Sequence, residues 1–190
     1  MISRLQGYYF NNPLYKRDLV RSTREFFDAP DFQHGGFVRG PEESIGFYNE
    51  WFMYDFILRD GESVLACFVR TNPLALSLEE LSVYQDLLDN RFGLFEILSV
   101  VPLQSMELRL LTTGETFAVS EYAATMDAKE GWGLFGRVSR VGNHYEMVGA
   151  DSFTVPLRDP EFKPYLDKIL AKGKLTPKDV LRMLTTGDVT

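Results

Sequence analysis

The sequence predicts an α+β fold, with N-terminal helices, a central five-stranded antiparallel sheet or small barrel, and C-terminal helices. Three observations predict it. Apolar residues recur at helical spacing up to residue 90, short runs rich in β-branched and aromatic residues occupy 94–155, and helix signals return near the end. The predicted parts are residues 1–90, 91–157 and 158–190, packed as one compact unit. A chain of 190 residues, 45% of them hydrophobic, is long enough to bury one core.

Two main helices are predicted in the first part, over 14–27 and 42–58. In the first, apolar positions recur every three or four residues, and Asn12 and Pro13 supply a cap and a favoured first-turn residue. The second is apolar on nearly every side, which is typical of a buried helix. A shorter helix is predicted over 62–70.

A third helix start is the clearest local signal in the chain. Ser77 and Glu80 have the spacing of a capping box, in which the serine hydroxyl and the glutamate each accept a hydrogen bond from the other residue's backbone N–H. The apolar stripe that follows predicts a helix ending near Asn90.

The pattern then changes from helical to extended. Phe117 and Val119 alternate with Ala118 and Ser120, which indicates a strand with one buried face. Turn residues separate the short runs, and a sheet of several short strands commonly curls into a small barrel because closure covers its edges. The predicted strands are 94–101, 105–111, 116–122, 132–140 and 144–155.

Two C-terminal helices complete the prediction. The first covers 160–170. Before the second, Thr176, Pro177 and Asp179 occupy the N-cap, first and third helical positions that these residue types favour.

Composition excludes several classes of protein. Cys67 is the only cysteine, so no intramolecular disulfide can form, and with the two histidines it leaves no cluster for a structural zinc site. The first ten residues lack the apolar run of a signal peptide, and no stretch approaches the roughly 20 apolar residues that cross a bilayer. We therefore expect a cytoplasmic protein with no metal, no cofactor and no membrane partner.

Charge is distributed unevenly along the chain. The net charge is −7, which argues against general nucleic-acid binding because phosphate contacts need clustered cations. Residues 41–96 carry 3 cationic and 11 anionic side chains, whereas 1–40 and 158–190 each have a net charge of +2. These opposite charges could pair between two copies, so a homodimer is one expectation and a different protein partner another.

Two sets of arginines are candidates for binding an anion. Arg17, Arg21 and Arg24 lie on one predicted helix, where they could bind phosphate or an acidic partner, or simply form a solvated face. Arg109 and Arg137, with Arg140, lie in the strand region and could hold single-stranded nucleic acid against a barrel.

Glu50 and Asp55 are the candidates for catalysis. Both lie in the most aromatic stretch of the chain, where apolar surroundings raise a carboxyl pKa and suit it to general acid–base chemistry. The alternative is that each accepts hydrogen bonds and fixes packing. His34, His144 and Cys67 have no evident catalytic partners, so the sequence leaves enzymatic activity open.

Six short segments carry a resemblance to known proteins. They are EWFMYD at 50–55, DG at 60–61, the apolar run at 64–69, SLEE at 77–80, LTTGE at 111–115 and GLFGRV at 133–138. Together they resemble a bacterial protein group that includes SEC-C-motif-containing proteins, over about residues 45–155 and in the part of those proteins outside their zinc motif. With Cys67 alone, this chain lacks the cysteines of that motif. The resemblance implies an architecture and a bacterial origin, but no activity.

The sequence therefore favours a non-catalytic binding or protein-interaction module. Two alternatives remain. One is RNA or single-stranded nucleic-acid binding by the sheet and the basic first helix, and the other is a small-molecule enzyme that uses Glu50 and Asp55.

Overall fold

The structure is a computed structural model that describes residues 2–29, 42–149 and 152–187. It divides the chain into two compact units, Met1–Gln85 (unit 1) and Asp86–Thr190 (unit 2). The fold is α+β, with helices at both ends and a sheet between them, as the sequence predicts. Among the described residues, we find no helix with both the length and the apolar character needed to cross a membrane.

Five α-helices and a short 3-10 turn precede the sheet in the described chain. The helix predicted over 14–27 is confirmed, with Asn12 capping the 3-10 turn through a hydrogen bond from the N–H of Leu14. The first helix, which the sequence analysis missed, consists of residues before that cap. The elements are α1 Ile2–Asn11, the turn Pro13–Tyr15, α2 Lys16–Phe26, α3 Glu42–Tyr54, α4 Val64–Thr71 and α5 Leu78–Asp86.

Aromatic rings form most of the core of unit 1. The Phe52 and Phe56 rings stack with centroids 5.5 Å apart, and Trp51 lies 5.3 Å from both Phe56 and Phe26. The predicted burial of α3 is confirmed, but the helix ends at Tyr54 and not at residue 58. The N–H of Phe56 donates to the Trp51 carbonyl, which turns the chain and brings Phe56 back onto the core.

The predicted capping box at the start of α5 is confirmed. The Glu80 N–H donates to Ser77 Oγ at 3.2 Å, and the Ser77 N–H donates to Glu80 Oε2 at 3.1 Å. The Ser77 N–H and the Arg4 guanidinium together hold the pKa of Glu80 below its usual range. The contribution of Glu80 to stability is therefore complete above its unfolded-state pKa and is lost as the pH falls through its lower folded-state pKa.

We expect Ser77→Ala to destabilise unit 1 by about 1 kcal/mol, because an N–H at the start of α5 loses its acceptor. Ser82→Ala is the matched control, since Ser82 lies exposed inside the same helix and donates only to the Glu79 carbonyl. Urea unfolding followed by circular dichroism measures both. Equal effects of the two variants would show that the cap does not contribute.

Unit 2 contains a six-stranded mixed sheet, which corrects the prediction of five antiparallel strands. The predicted strand 144–155 divides in two, because its two ends pair with different parts of the same neighbouring strand. The strands are β1 Asn90–Val101, β2 Ser105–Leu110, β3 Thr116–Ser120, β4 Gly133–Val141, β5 His144–Met147 and β6 Phe153–Val155. β3 and β5 are parallel, and the other pairings are antiparallel.

The pairings form a ring. They run from β1 through β2, β3, β5 and β4 and return to β1, while β6 pairs with β4. The 12-residue β1 makes this possible, because its first half pairs with β4 and its second half with β2. The register with β2 shifts between Ile97 and Ser99, just after the pairing with β4 ends at Glu96.

Buried side chains from β1 to β4 meet in one hydrophobic core, and the partly buried Tyr145 and Met147 of β5 pack against it. Phe117 and Val119 point into it while Ala118 and Ser120 are exposed, which confirms the predicted alternation. The buried members are Phe95, Ile97, Met106, Leu108, Leu110, Phe117, Val119, Leu134 and Val138.

Two helices follow the sheet, as predicted. They are α6 Lys163–Lys172 and α7 Pro177–Thr186. Thr176 caps α7 in a reciprocal capping box with Asp179, and Lys172 from α6 approaches the same carboxylate at 3.0 Å.

Candidate functional site

The two candidate catalytic carboxylates lie in different surroundings. Glu50 is buried within α3, with 3% of its surface exposed. Asp55 is half-buried and follows the end of that helix. General acid–base chemistry requires both groups to reach a substrate. Glu50 is enclosed by the core, so the described residues do not form a cleft shared by the two carboxylates.

The three candidate arginines of α2 have different surroundings. Arg21 donates to the Ile57 carbonyl and to Asp18, and its guanidinium lies 4.4 Å from the Phe56 ring centroid. Asp18 is buried and also accepts a hydrogen bond from Arg59. Through its contacts with Ile57 and Phe56, Arg21 therefore joins α2 to the segment that follows α3. Arg17 and Arg24 are exposed.

The candidate arginines of the sheet do not form one exposed cationic surface. Arg109 is exposed on β2 and pairs with Glu96 of β1. Arg137 is 2% exposed, donates to Asn90 Oδ1 and lies 5.0 Å from the Phe92 ring centroid. Arg140 donates to the Gly142 carbonyl at 2.9 Å. Arg137 therefore has a buried, structural environment.

The two histidines do not reveal a catalytic site. His144, for which the sequence indicates no partner, lies with Nε2 2.7 Å from Glu146 Oε1 on the exposed face of β5. His34 lies outside the described residues.

One cluster of potential metal ligands was not predicted. Atoms of Asp60, Glu62 and Cys67 lie within 4.8 Å of one another. Arg70 already binds this cluster, because its Nε donates to both Glu62 oxygens at 2.8 and 3.0 Å and its Nη2 lies 3.6 Å from Asp60. The hydrogen bonds to Glu62 and the charge of that carboxylate raise the pKa of Arg70 above the usual arginine value. The Arg70 guanidinium is a cation that already binds these carboxylates, so the geometry fits an ion-pair network.

The most distinctive surface in unit 2 is apolar and lies at one end of the sheet. Val101, Leu103, Tyr122 and Met126 have between 45% and 66% of their surface exposed, although all four are large and hydrophobic. We call these four residues the sheet-end patch. They come from the last residue of β1, the β1–β2 turn and the segment that follows β3.

Hydrogen bonds join these two segments. The Leu103 N–H donates to Thr125 Oγ1 at 2.8 Å, and that hydroxyl donates to the Tyr122 carbonyl at 2.7 Å. The Glu121 N–H donates to the Gln104 carbonyl. Because Thr125 is buried, the bonds that hold the sheet-end patch together are shielded from water.

Leu103 occupies an unfavourable backbone conformation. Its φ is +61°, in the left-handed region that glycine and asparagine adopt more readily. For leucine this costs about 1 kcal/mol or more, and such strain tends to persist at functional sites. The turn therefore presents a large apolar side chain to solvent at a cost in stability.

Carboxylates adjoin the sheet-end patch in the chain. Glu121 and Asp127 are next to Tyr122 and Met126, Glu130 is exposed on the same connection, and Glu107 is exposed on the outer face of β2. The cation of the connection, Lys129, lies 4.6 Å from the Trp132 ring centroid. The connection after β3 therefore combines exposed apolar side chains with a net negative charge.

Sequence patterns do not reveal the sheet-end patch, because Leu103 and Met126 lie in connections while Val101 and Tyr122 fall at the ends of predicted strands. The available signal was a leucine directly after Pro102 in a tight turn, where glycine or asparagine would be expected.

Comparison with known proteins adds no relative. No family model, no curated protein and no solved structure matches the chain. The resemblance to SEC-C-motif-containing proteins therefore stays a prediction, and function is inferred from the residues themselves.

Proposed function

We propose that this protein is a non-catalytic protein-interaction module and that the sheet-end patch is its binding surface. The observation that carries the proposal is that four exposed apolar side chains, one of them a leucine with a strained backbone, lie on two segments joined by hydrogen bonds. Contiguous exposed apolar surface is typical of interaction sites, whereas single exposed residues are common on any protein.

The chemistry of the sheet-end patch suits a central binding contact. Full burial of a large apolar side chain contributes about 1.5–3 kcal/mol, so covering Leu103, Tyr122 and Met126 would supply several kcal/mol. Tyrosine is enriched among residues that dominate binding energy, and methionine adapts to irregular partners. The patch therefore has the composition of the centre of an interface.

The sheet of unit 2 supports the use of the sheet-end patch as a binding surface. We infer that β1 to β5 act as a small barrel, since their pairings return to β1 and enclose a single apolar core. A closed sheet holds its connecting loops rigidly, so binding at the sheet-end patch needs little ordering of the chain.

The nucleic-acid alternative has less support. Small barrels such as the OB-fold bind oligonucleotides on the outer face of strands 2 and 3, with aromatic rings that stack on bases. Here the exposed side chains of β2 and β3 are small or acidic, apart from Arg109, which pairs with Glu96. The described face therefore lacks the stacking rings and free cations that this mode uses.

We expect the double variant Tyr122→Ser/Met126→Ser to retain its fold and to lose its protein partner. The test is native co-purification with and without nuclease, with each retained macromolecule quantified by mass spectrometry. Loss of two central apolar contacts should reduce the retained partner by about tenfold or more.

The matched control is Leu14→Ser/Leu78→Ser in unit 1, which removes two side chains that are 75% and 87% exposed. It should leave the partner unchanged. Equal retention by both double variants would refute the proposal, as would a partner that disappears with nuclease treatment. Loss of the partner from both double variants would show that surface polarity in general, and not the sheet-end patch, controls retention.

A further inference from the structure

We infer that the partner binds the sheet-end patch with a basic amphipathic α-helix. This inference rests on the proposed function and specifies the chemistry of the partner. Two independent features lead to it, namely the hydrogen bonding of the patch backbone and the charge of the adjoining chain segments.

The backbone around the sheet-end patch offers few hydrogen bonds to a partner. The N–H groups of Leu103, Gln104 and Glu121 already donate within the protein. The Ala123 and Ala124 N–H groups donate to Glu121 Oε1 at 2.8 and 3.1 Å. The adjacent strand β2 pairs with β1 on one edge and β3 on the other.

An extended partner segment would therefore bury backbone N–H and C=O groups that find no hydrogen-bond partner. Each such group would cost about 1–3 kcal/mol of binding free energy. A helix satisfies its backbone internally and presents apolar side chains three and four residues apart. The sheet-end patch, with four exposed apolar side chains on two joined segments, fits such a row of anchors. Strand addition at β2 is disfavoured because both of its edges are already paired.

The charge of the chain segments that adjoin the sheet-end patch favours a cationic helix. The segment after β3 carries three carboxylates, Glu121, Asp127 and Glu130, against one cation, Lys129, while β2 adds Glu107 and an Arg109 that pairs with Glu96. Glu107 has Ser99 and Ala118 as its cross-strand neighbours, so no cation opposes it on either strand. Lysines or arginines flanking the apolar row of a helix would meet these carboxylates, whereas an acidic helix would be repelled.

The probe is a synthetic amphipathic helix of leucine and lysine, labelled for fluorescence anisotropy. Two comparison peptides are used: the same helix with glutamate in place of lysine, and the lysine peptide with its residues reordered so that no apolar face forms. We expect the lysine helix to bind about tenfold more tightly than either comparison peptide and to weaken as salt rises.

Matched variants locate the binding. Met126→Ser and Asp127→Lys should each weaken the lysine helix about tenfold or more, because they remove an apolar anchor and reverse a flanking charge. Leu78→Ser and Glu79→Lys are the controls on the exposed face of α5, and we expect less than about a twofold change. Equal binding of the reordered peptide, or equal loss in the controls, would overturn the inference.

A photoreactive amino acid at position 126 separates this inference from the proposed function. Crosslinking in native cells, with the attached peptide mapped by mass spectrometry, should yield a segment with alternating apolar and cationic helical faces. A partner joined through any other kind of segment, including a second copy joined through one, would overturn the helix inference and leave the interaction module standing. No crosslinked protein would overturn both.

Discussion

Replacing Arg137 by alanine is expected to destabilise unit 2 by about 3–5 kcal/mol, the largest single effect we anticipate in this chain. Its side chain is one of the largest fully buried ones. Truncation leaves a cavity, removes the hydrogen bond to Asn90 Oδ1 and removes the guanidinium from the Phe92 ring. Arg137 belongs to β4, whereas Asn90 and Phe92 belong to β1, so the lost contacts are those that join these two strands.

Two further variants separate packing from charge. Arg137→Met restores most of the volume and isolates the loss of charge and hydrogen bonding, so its cost should fall between those of alanine and the wild type. Arg109→Ala removes an exposed arginine paired with Glu96, and we expect a loss of about 0–1 kcal/mol.

Hydrogen exchange of β1 and β4 in increasing urea, followed by mass spectrometry, reports the free energy of unfolding of unit 2. Equal costs at positions 137 and 109 would contradict the structural role assigned to Arg137. If Arg137→Ala does not accumulate as folded protein, the methionine variant still carries the comparison.

Gly133→Ala is expected to destabilise unit 2 by about 1–3 kcal/mol through overpacking. A Cβ at this position would lie 2.7 Å from Leu157, 2.9 Å from Leu94 and 2.9 Å from Val155. Three side chains would have to move together, one from β1 and two from β6 and the residues just after it. The absence of a side chain at Gly133 is what lets these three side chains pack over β4.

Gly136→Ala provides the control on the same strand. Its Cβ would meet mainly the terminal methyl of Met147, a flexible group that can rotate away. We expect a cost below about 1 kcal/mol from thermal or urea unfolding. A larger cost at position 136 than at 133 would contradict this account of packing around β4.

The sequence predicted the elements whose causes are local. Ser77 with Glu80, and Thr176 with Asp179, define helix starts because each capping box spans only four residues. Phe117 and Val119 identify a buried strand face because alternation is visible within one strand. In each case the interacting residues are neighbours in the chain.

The features that were not predicted depend on distant residues. The parallel pairing of β3 with β5 depends on the position that β4 takes in the sheet before the chain reaches β5. No local sequence pattern indicates that position. Arg137 appears as an exposed sheet cation in sequence, but Asn90 and Phe92, more than 40 positions earlier, enclose it. The sheet-end patch likewise forms only when the β1–β2 turn meets the segment after β3.

The ring of strand pairings is completed by a narrow contact. β3 and β5 share two residue pairs, Val119 with Tyr145 and Ser120 with Glu146, supported by the edge-on packing of the Phe117 and Tyr145 rings at 5.1 Å. If this contact opened, the ring would become an open sheet whose newly exposed strand edges could pair with those of other molecules. We therefore expect opening of this contact to promote aggregation, an effect separate from the contribution of these residues to folding stability.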